Sequence, residues 1–290
     1  MLTKTFLTGK ADYLEDSIAR MTETLALAGF QLEFSSALNP VPYIYSVHVK
    51  SQECSALFAN GKGISELASQ ASALGEFIER LGTHYLFADY WIGSALRLEK
   101  GFMFHPREIA IPAVDFKRDH LLTPLLWQWY DPDHEVETKH LITLQEGDQT
   151  ITALPFVSQQ TKETVYFPIN LLNTLYASNG MAAGNTVTEA SIQALSEIFE
   201  RYVRAEILRN QWCLPVMPKQ AWESIASVVS IIEHLASYGL RVDIRDASLG
   251  GLYPVVAVIL HDEIEGKCFV SFGAHPIYEV ALERTLTESV

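Results

Sequence analysis

The chain has 290 residues, 48% of them hydrophobic, and a formal net charge of −14. This length can bury a large core, and the charge disfavours binding to nucleic acid or to acidic membranes. The three cysteines lack the C-x-x-C spacing of zinc and redox sites, so Cys54, Cys213 and Cys268 are predicted to be buried thiols. No signal peptide or membrane-spanning run is recognised, which predicts a cytoplasmic protein.

The first half of the chain predicts one helix, a hairpin and a second helix. LEDSIARMTETLALAGF has apolar residues at helical spacing and ends at Gly29. Two short strands, PYIYSVHVK and CSALFA, are joined by the polar SQE, and an Asn60-Gly61 turn then leads into the second helix. The aromatic stretch YLFADYWIG is interpreted as core. Residues 98–135 are rich in Pro, Asp and aromatics and are predicted to be irregular.

The second half interleaves strands and helices. TITALPFVS and TVYFPIN are predicted strands, and Thr186-x-x-Glu189 is a capping box that starts a helix near Val187. A helix around VVSIIEHLASYG precedes three strands, LRVDIRDA, YPVVAVILH and KCFVSFG, and a last helix starts at Pro276. The pattern predicts an α+β fold with one large mixed sheet in a single domain, residues 1–290.

Two of these helices repeat one motif. LGEFIERL at 74–81 returns as LSEIFERY 121 positions later, which pairs Glu76 with Glu197, Glu79 with Glu200 and Gly63 with Gly184. Each copy is predicted to carry an apolar stripe opposite a polar face. The apolar stripes are Leu74, Phe77, Ile78 and Leu81 in the first copy, and Leu195, Ile198, Phe199 and Tyr202 in the second.

Two interpretations of the repeated glutamates stay open at this point. A solvated helix face would use them in i,i+4 ion pairs: Glu76 to Arg80, Glu197 to Arg201 and Glu200 to Arg204. If instead the two polar faces oppose each other, four crowded carboxylates require a cation, and Mg²⁺ bound to nucleotide phosphates fits. Arg284 and Glu288 of the last helix would add a guanidinium and a fifth carboxylate. The repetition favours the ligand site.

Three segments in order resemble the YcaO family, in particular its stand-alone gamma-proteobacterial type. They are SALGEFIER at 72–80, SNGMAAGNT with QALSEIFER at 178–186 and 193–201, and SFGAHPIYEVALERTLTE at 271–288. The resemblance extends over essentially the whole chain, but family members continue beyond the third segment. A chain shortened at its C-terminal end is therefore expected.

The resemblance implies a YcaO-like fold with an ATP site that lacks a Walker loop, and ATP and Mg²⁺ as cofactors. It implies metal binding by Glu76, Glu79, Glu197, Glu200 and Glu288. It implies nucleotide binding by Lys10, Ser17, Ser72, Asn185, Gln193, Arg201 and Arg284. No catalytic residue is assigned.

The activity implied by the resemblance is ATP-dependent phosphorylation of a peptide-backbone amide oxygen, after which a nucleophile attacks the amide carbon and phosphate leaves. The stand-alone type is linked with β-methylthiolation of a ribosomal protein. The implied partners are a peptide or protein substrate, a ribosomal protein with its methylthiotransferase, and a second copy of the chain in a homodimer. Neither nucleic acid nor a membrane is expected.

Two other functions are weighed. The chain could be a nucleotide-binding regulatory module that acts on a partner enzyme with little catalysis of its own, which would use the same residues. It could also be a protein whose charged helices only face water. His275 could approach a phosphate, although a capping or packing role is favoured.

Overall fold

A computed structural model describes residues 3–55, 57–83, 105–143, 149–175 and 178–290, without the side chains of 173–175. YLFADYWIG and residues 98–104 of the predicted irregular segment lie outside this part of the chain. The chain divides into two compact units, one formed by Met1–Glu79 with Asn179–Val290 and the other by Arg80–Ser178. None of the helices that the structure describes is sufficiently long and apolar to pass through a bilayer.

The described helices and strands are named in chain order. The helices are α1 (Leu14–Leu27), α2 (Glu66–Gly82), α3 (Pro124–Tyr130), α4 (Thr138–Leu141), α5 (Ile169–Leu175), α6 (Val187–Asn210), α7 (Ala226–Ser237) and α8 (Tyr278–Glu288). The strands are β1 (Leu32–Phe34), β2 (Leu38–Val41), β3 (Ile44–Ser51), β4 (Phe58–Gly63), β5 (Ile109–Pro112), β6 (Thr150–Val157), β7 (Thr164–Pro168), β8 (Leu240–Asp246), β9 (Val255–Asp262) and β10 (Lys267–Ala274).

The α+β fold class is confirmed, but the described strands form three antiparallel sheets where one large mixed sheet was expected. The first unit contains two of them: β1-β3-β2, with β4 also paired to β3, and β10-β9-β8. The second unit contains β5-β6-β7. Short connections such as the one between β9 and β10 reverse the chain direction, and a reversed strand pairs antiparallel with its predecessor.

The β10-β9-β8 sheet is covered on both faces. On one face Val258 and Ile244 pack against α7 and α8 through Ile231 and Leu282, which are fully buried. On the other face, Val203 and Ile207 of α6 pack with Ala257, Phe272 and Ala274. Burial of these apolar side chains contributes about 25 cal/mol per Å² of apolar surface removed from water. The two helices that carry Gln193 and Arg284 are thus fixed to one rigid sheet.

The predicted turn at Asn60-Gly61 is wrong, because both residues lie inside β4, paired with β3. The predicted hairpin itself is confirmed. Glycine is required at position 61 for contact with α2, since a Cβ atom there would lie 2.0 Å from the carbonyl oxygen of Ser69. Gly184 has the same relation to α6, where its Cβ would lie 2.5 Å from the nitrogen of Ala190. In both copies of the motif, glycine allows backbone to approach the following helix closely.

The apolar stripe is buried in the first copy of the motif only. Leu74 and Phe77 are completely buried, whereas Leu195, Ile198 and Tyr202 are 51%, 44% and 48% exposed. The predicted equivalence of the two stripes is therefore wrong. The reason is that α6 turns its Ser196, Val203 and Ile207 side toward the sheet, about a third of a turn or more away from that stripe.

The second unit has its own core and is more regular than predicted. Leu122 and Trp127 pack with Ile151 and Ala153 of the β5-β6-β7 sheet. The prediction of irregular structure is wrong for β5 and α3. The α3 helix begins at Pro124 because Thr123 caps it, accepting a hydrogen bond from the nitrogen of Leu126 at 3.3 Å.

Candidate functional site

Asn185, just before α6, joins the N-terminal segment to that helix. Its Oδ1 accepts hydrogen bonds from the hydroxyl of Ser17 at 2.8 Å and from Nη2 of Arg20 at 2.7 Å. Its Nδ2 donates to Oε2 of Glu189 at 3.0 Å. Both the oxygen and the nitrogen of this amide therefore have partners, which fixes its orientation. The structure brings together Ser17 and Asn185, which sequence analysis assigned to nucleotide binding.

Glu189 is held in an electropositive setting. Its Oε1 lies 3.2 Å from Nζ of Lys10, and its Oε2 accepts from the nitrogen of Ala11 at 3.1 Å. Burial acts to raise its pKa, but Lys10 and the hydrogen bonds from Ala11 and Asn185 together hold the pKa of Glu189 below its usual value. The carboxylate therefore stays ionised and fixes the position of the Lys10 ammonium group.

The predicted capping box at Thr186 is formed in one direction. Thr186 precedes α6 and accepts a hydrogen bond from the nitrogen of Glu189 at 3.1 Å, so the predicted helix start at Val187 is confirmed. The reciprocal bond expected from the Glu189 side chain is replaced by the contacts to Lys10 and Ala11. A carboxylate gains more from an ammonium group than from one backbone N–H.

Gln193 and Arg284 meet between α6 and α8. Nη1 of Arg284 donates a hydrogen bond to Oε1 of Gln193. Gln193 lies one helical turn after Glu189, so the two residues occupy the same side of α6 as Glu197 and Glu200. Two residues that sequence analysis assigned to nucleotide binding are therefore in direct contact.

Glu200 is the most perturbed carboxyl group of this region. Burial raises its pKa most, Arg201 and Arg284 oppose the shift, and the negative charges of Glu197 and Glu288 add to it, so that the resulting pKa is about 7. Three of the predicted metal ligands thus influence one another electrostatically. A buried acidic group beside two further carboxylates is a suitable place for a divalent cation, which would stabilise the ionised form.

The neighbours of Glu200 differ in exposure and partners. Oε1 of Glu197 lies 3.6 Å from Nη2 of Arg201, which confirms that predicted ion pair. Oε2 of Glu197 also accepts from the nitrogen of Gly180 at 3.2 Å. The predicted pair of Glu200 with Arg204 is absent from the ion pairs of the described residues, because Glu200 is turned inward while Arg204 is exposed.

Glu288 approaches β4 through a lysine. Its side chain is 60% exposed, and its Oε2 lies 3.7 Å from Nζ of Lys62. Lys62 also donates to the carbonyl oxygen of Val290 at 3.3 Å. Since Gly61 and Gly63 of the same strand pack on α2, β4 lies beside both α2 and the end of α8. This strand links the first copy of the motif to the last helix.

Three predicted site residues lie on α2. Glu76 and Glu79 are half-buried and Ser72 is exposed, while Leu74 and Phe77 on the other side are buried. They belong to the same compact unit as the other predicted residues. Their roles in metal and nucleotide binding stay predictions.

Within the described ranges, no group of three or more His, Cys, Asp or Glu side chains could hold a metal ion by itself. Mg²⁺ in nucleotide sites is usually held by one or two carboxylates together with substrate phosphates and water. The grouping of Glu200 with Glu197 and Glu288, and with the guanidinium groups of Arg201 and Arg284, fits a cation that binds together with phosphates.

His275 has the packing role that was favoured. It is 8% exposed, and its Nδ1 accepts a hydrogen bond from the nitrogen of Ile277 just before α8. Burial lowers its pKa, as do the positive charges of Arg284 and Lys10. His275 is therefore neutral at pH 7 and supports the segment around Lys10. A Cβ atom on Gly9 would lie 3.0 Å from its ring.

Two residues of this region were not predicted from the sequence. They are Arg20, and Glu189 in any role beyond helix capping. The offset of 121 pairs Glu189 with Ala68, which packs against Gly63. Because the first copy of the motif has no carboxylate at this position, comparing the two copies did not indicate a role for Glu189. Arg20 lies two turns into an ordinary amphipathic helix. Its contacts with Asp12 and Asn185 depend on tertiary structure.

The sequence model of the YcaO cyclodehydratase family, described as binding ATP and Mg²⁺, matches residues 60–290. The chain belongs to the YcaO family. It is 47% identical, over 99% of its length, to a protein of Escherichia coli named ribosomal protein S12 methylthiotransferase accessory factor YcaO. It spans 50% of that relative, about half the length of the curated relatives it matches.

Two solved structures share the fold. A heterocyclase in complex with substrate and cofactor superposes with a TM-score of 0.62 at 19% identity, covering 100% of this chain and 41% of that one. YcaO from Methanopyrus kandleri, bound with AMPPCP and Mg²⁺, superposes with a TM-score of 0.60 at 18% identity, covering 100% of this chain and 70% of that one. These similarities confirm the YcaO-like fold. The predicted cofactors, ATP and Mg²⁺, are confirmed by the family to which the chain belongs.

Proposed function

We propose that this chain carries the ATP and Mg²⁺ site of a YcaO protein that activates a backbone amide of a peptide. The observation that supports this most is the grouping around Glu200: Glu197 pairs with Arg201 at 3.6 Å, Arg284 reaches α6 through Gln193, and these groups with Glu288 are near enough to shift the pKa of Glu200. Carboxylates suit Mg²⁺, and guanidinium groups suit phosphate. A site for a metal ion alone would not require the guanidinium groups, and a site for phosphate alone would not require the carboxylates.

The proposed roles combine the contacts around Glu200 with the repeated motif of α2 and α6. Glu197, Glu200 and Glu288, together with Glu76 and Glu79 on α2, would hold Mg²⁺. Arg201 and Arg284 bind the phosphates.

The contacts of the N-terminal segment suggest roles for the remaining residues. Lys10, positioned by Glu189, adds a further cation for the phosphates. Ser17, Asn185 and Gln193, with Ser72 on α2, contact the rest of the nucleotide.

The chemistry requires positioning more than acid–base catalysis. ATP, when bound, supplies a phosphoryl group that turns the amide oxygen into a leaving group. Phosphoryl transfer depends mainly on positioning and on neutralising charge, which the charged residues named above provide. A nucleophile then adds to the amide carbon, and the oxygen leaves as phosphate.

An accessory role in modification of a ribosomal protein is the second candidate. It is favoured by the 47% identity to a protein named ribosomal protein S12 methylthiotransferase accessory factor. This chain spans half the length of that accessory factor. In that case the chain binds ATP through the same residues, and the effect is exerted on a partner enzyme.

Phosphate release separates the two candidates. The chain would be incubated with ATP and Mg²⁺, with and without ribosomal protein S12 and its peptides, and inorganic phosphate measured. We expect release that rises with peptide and disappears in Glu197→Gln. Tight binding of ATP without any peptide-dependent release would favour the accessory role, and a lack of ATP binding would contradict both.

A further inference from the structure

A pocket of about 400 Å³ opens in the first unit where α6 ends. Its floor is formed by Ile259, Val270 and Phe272 of the β10-β9-β8 sheet, and its walls by Leu208, Trp212 and Leu214. Leu208 and Trp212 remain 63% and 47% exposed. The volume is in the range of pockets that bind small ligands or one large side chain with its backbone.

Two arginines line this apolar pocket. Nη1 of Arg245 donates to the carbonyl oxygen of Leu214 at 3.2 Å and Nη2 to Oδ2 of Asp243 at 3.0 Å. Its Nε is buried and lacks a hydrogen-bond partner among the described residues. Asp243 is shared with Arg241 and lies 3.2 Å from His261, so a single carboxylate serves several basic groups.

Arg204 is the second basic residue of the lining, and it is exposed. Among the ion pairs of the described residues it has none, unlike Arg201 and Arg209 on the same helix. On a chain with a net charge of −14, this pocket is locally positive. It is therefore complementary to an apolar group that carries a carboxylate close by.

An adjacent sheet edge favours a peptide as the ligand. In the described part of the chain, β10 is paired on one side only, with β9. Its first four residues, Lys267–Val270, are exposed, and Val270 lines the pocket. An extended peptide beside such an edge gains backbone hydrogen bonds, while alternate side chains enter the pocket.

We propose that this pocket binds a segment of the peptide substrate in which a large apolar side chain is followed by an acidic residue. The apolar side chain occupies the floor, and the carboxylate binds Arg204. Arg204 lies one turn beyond Glu200 on α6, so the bound segment is close to the carboxylates of the nucleotide site. The assignment to substrate rests on the proposed function.

The test uses the cysteine of the pocket. Cys213 lines it and is an exposed free thiol, whereas Cys54 lies in the connection between β3 and β4 and serves as an internal control. The alkylation rates of both thiols are measured by mass spectrometry with millimolar acetylated peptides Ala-X-Asp-Ala-amide, where X is Leu, Phe or Trp. Matched peptides replace Asp by Asn or X by Ala.

At least one acidic peptide is expected to slow alkylation of Cys213 about fivefold or more, while that of Cys54 is unchanged. The matched peptides, with Asn in place of Asp or Ala in place of X, should protect Cys213 much less. Protection should also be lost in Arg204→Gln but kept in Arg209→Gln, a matched exposed arginine of α6 that pairs with Glu206. Thermal unfolding checks that both variants are folded.

Equal alkylation of Cys213 with and without all three acidic peptides would overturn the proposal. So would equal protection by acidic and Asn peptides. ATP binding, measured on the same protein, is a separate readout. If ATP does not bind while the acidic peptides still protect Cys213, the proposed function fails and the pocket remains a peptide site.

The two exposed cysteines also correct the sequence analysis. Cys213 and Cys268 are exposed and Cys54 is half-buried, so the prediction of three buried thiols is wrong. The neighbours of Cys213 are apolar, as the sequence indicated, but they line the rim of an open pocket. For Cys268 the apolar neighbours lie in the exposed first half of β10.

Discussion

Arg284 of α8 donates a hydrogen bond to Gln193 of α6, 91 positions earlier in the chain. The two helices cover different faces of the β10-β9-β8 sheet, and this bond connects them beside the carboxylates of Glu197, Glu200 and Glu288. A guanidinium group held in this way loses less side-chain entropy when a phosphate binds.

Gln193→Ala is expected to weaken ATP binding about tenfold, because it removes a proposed nucleotide contact and frees Arg284 from its hydrogen bond. Stability should change by about 1 kcal/mol or less, as only one partly buried hydrogen bond is lost. Titration calorimetry and urea unfolding measure the two effects. The control is Gln220→Ala. Gln220 is exposed and follows Val216, which forms an isolated β-bridge. Equal affinity in Gln193→Ala and Gln220→Ala would remove Gln193 from the site.

Asn185→Asp tests the amide between Ser17, Arg20 and Glu189. The change keeps the acceptor for Ser17 and Arg20 but places a second carboxylate where Nδ2 now lies 3.0 Å from Glu189. We expect a loss of about 1–3 kcal/mol in unfolding free energy, and weaker ATP binding. Asn210→Asp, at the exposed end of α6, also places a carboxylate beside a glutamate, since Nδ2 of Asn210 lies 3.3 Å from Oε2 of Glu206. It should cost less because water and salt screen the repulsion there. Wild-type stability of Asn185→Asp would show that the amide orientation is wrong.

Gly61→Ala is expected to be severely destabilising. The added Cβ would lie 2.0 Å from Ser69 O and 2.3 Å from Ala73 N, so β4 and α2 would have to separate. Gly75→Ala on α2 has open space around its Cβ and should be neutral or stabilise by up to about 1 kcal/mol. Circular dichroism during thermal unfolding compares the pair. Similar melting temperatures for the two variants would contradict the close contact.

The pKa of Glu200 predicts a pH dependence of stability without metal. Because burial raises this pKa from 4.5 to about 7, the folded state favours the protonated form. The contribution is complete below pH 4.5 and is lost as the pH rises toward about 7.5. It amounts to about 3.5 kcal/mol at most, at about 1.4 kcal/mol per pKa unit.

Glu200→Gln removes this term, so its stability relative to wild type should rise between pH 4.5 and 7.5. The measurement is urea unfolding in EDTA at several pH values. Glu233→Gln, an exposed glutamate of α7, should show no such trend. A constant difference between Glu200→Gln and wild type would show that Glu200 has an ordinary pKa in the folded protein.

Local patterns predicted much of the fold. Gly29 predicted the C-terminal end of α1, and Thr186 predicted the N-terminal end of α6. Such ends can be predicted because they are determined by residues in the same turn. The turn at Asn60-Gly61 was wrong for a tertiary reason. Glycine is required at position 61, but the reason is its contact with α2 and not a reversal of the chain.

The site could be predicted in part. The repeated motif pointed to Glu197 and Glu200, since both copies place glutamates on one helix face. Glu189 and Arg20 could not be recognised, because the contacts that bring them into the site, with Lys10 and with Asn185, join residues more than 160 positions apart in sequence. The exposure of Leu195, Ile198 and Tyr202 was equally hidden, since a helix pattern does not say which face the sheet will cover.

In the proposed site, the two copies of the motif hold one nucleotide with Mg²⁺. Isothermal titration of ATP, with and without Mg²⁺, tests it on the wild-type chain, on Glu76→Ala and on Glu197→Ala, with the exposed Glu223→Ala as control. We expect Mg²⁺-dependent binding that is lost in both motif variants and kept in the control. Wild-type affinity in either Glu76→Ala or Glu197→Ala would contradict a site shared by the two helices.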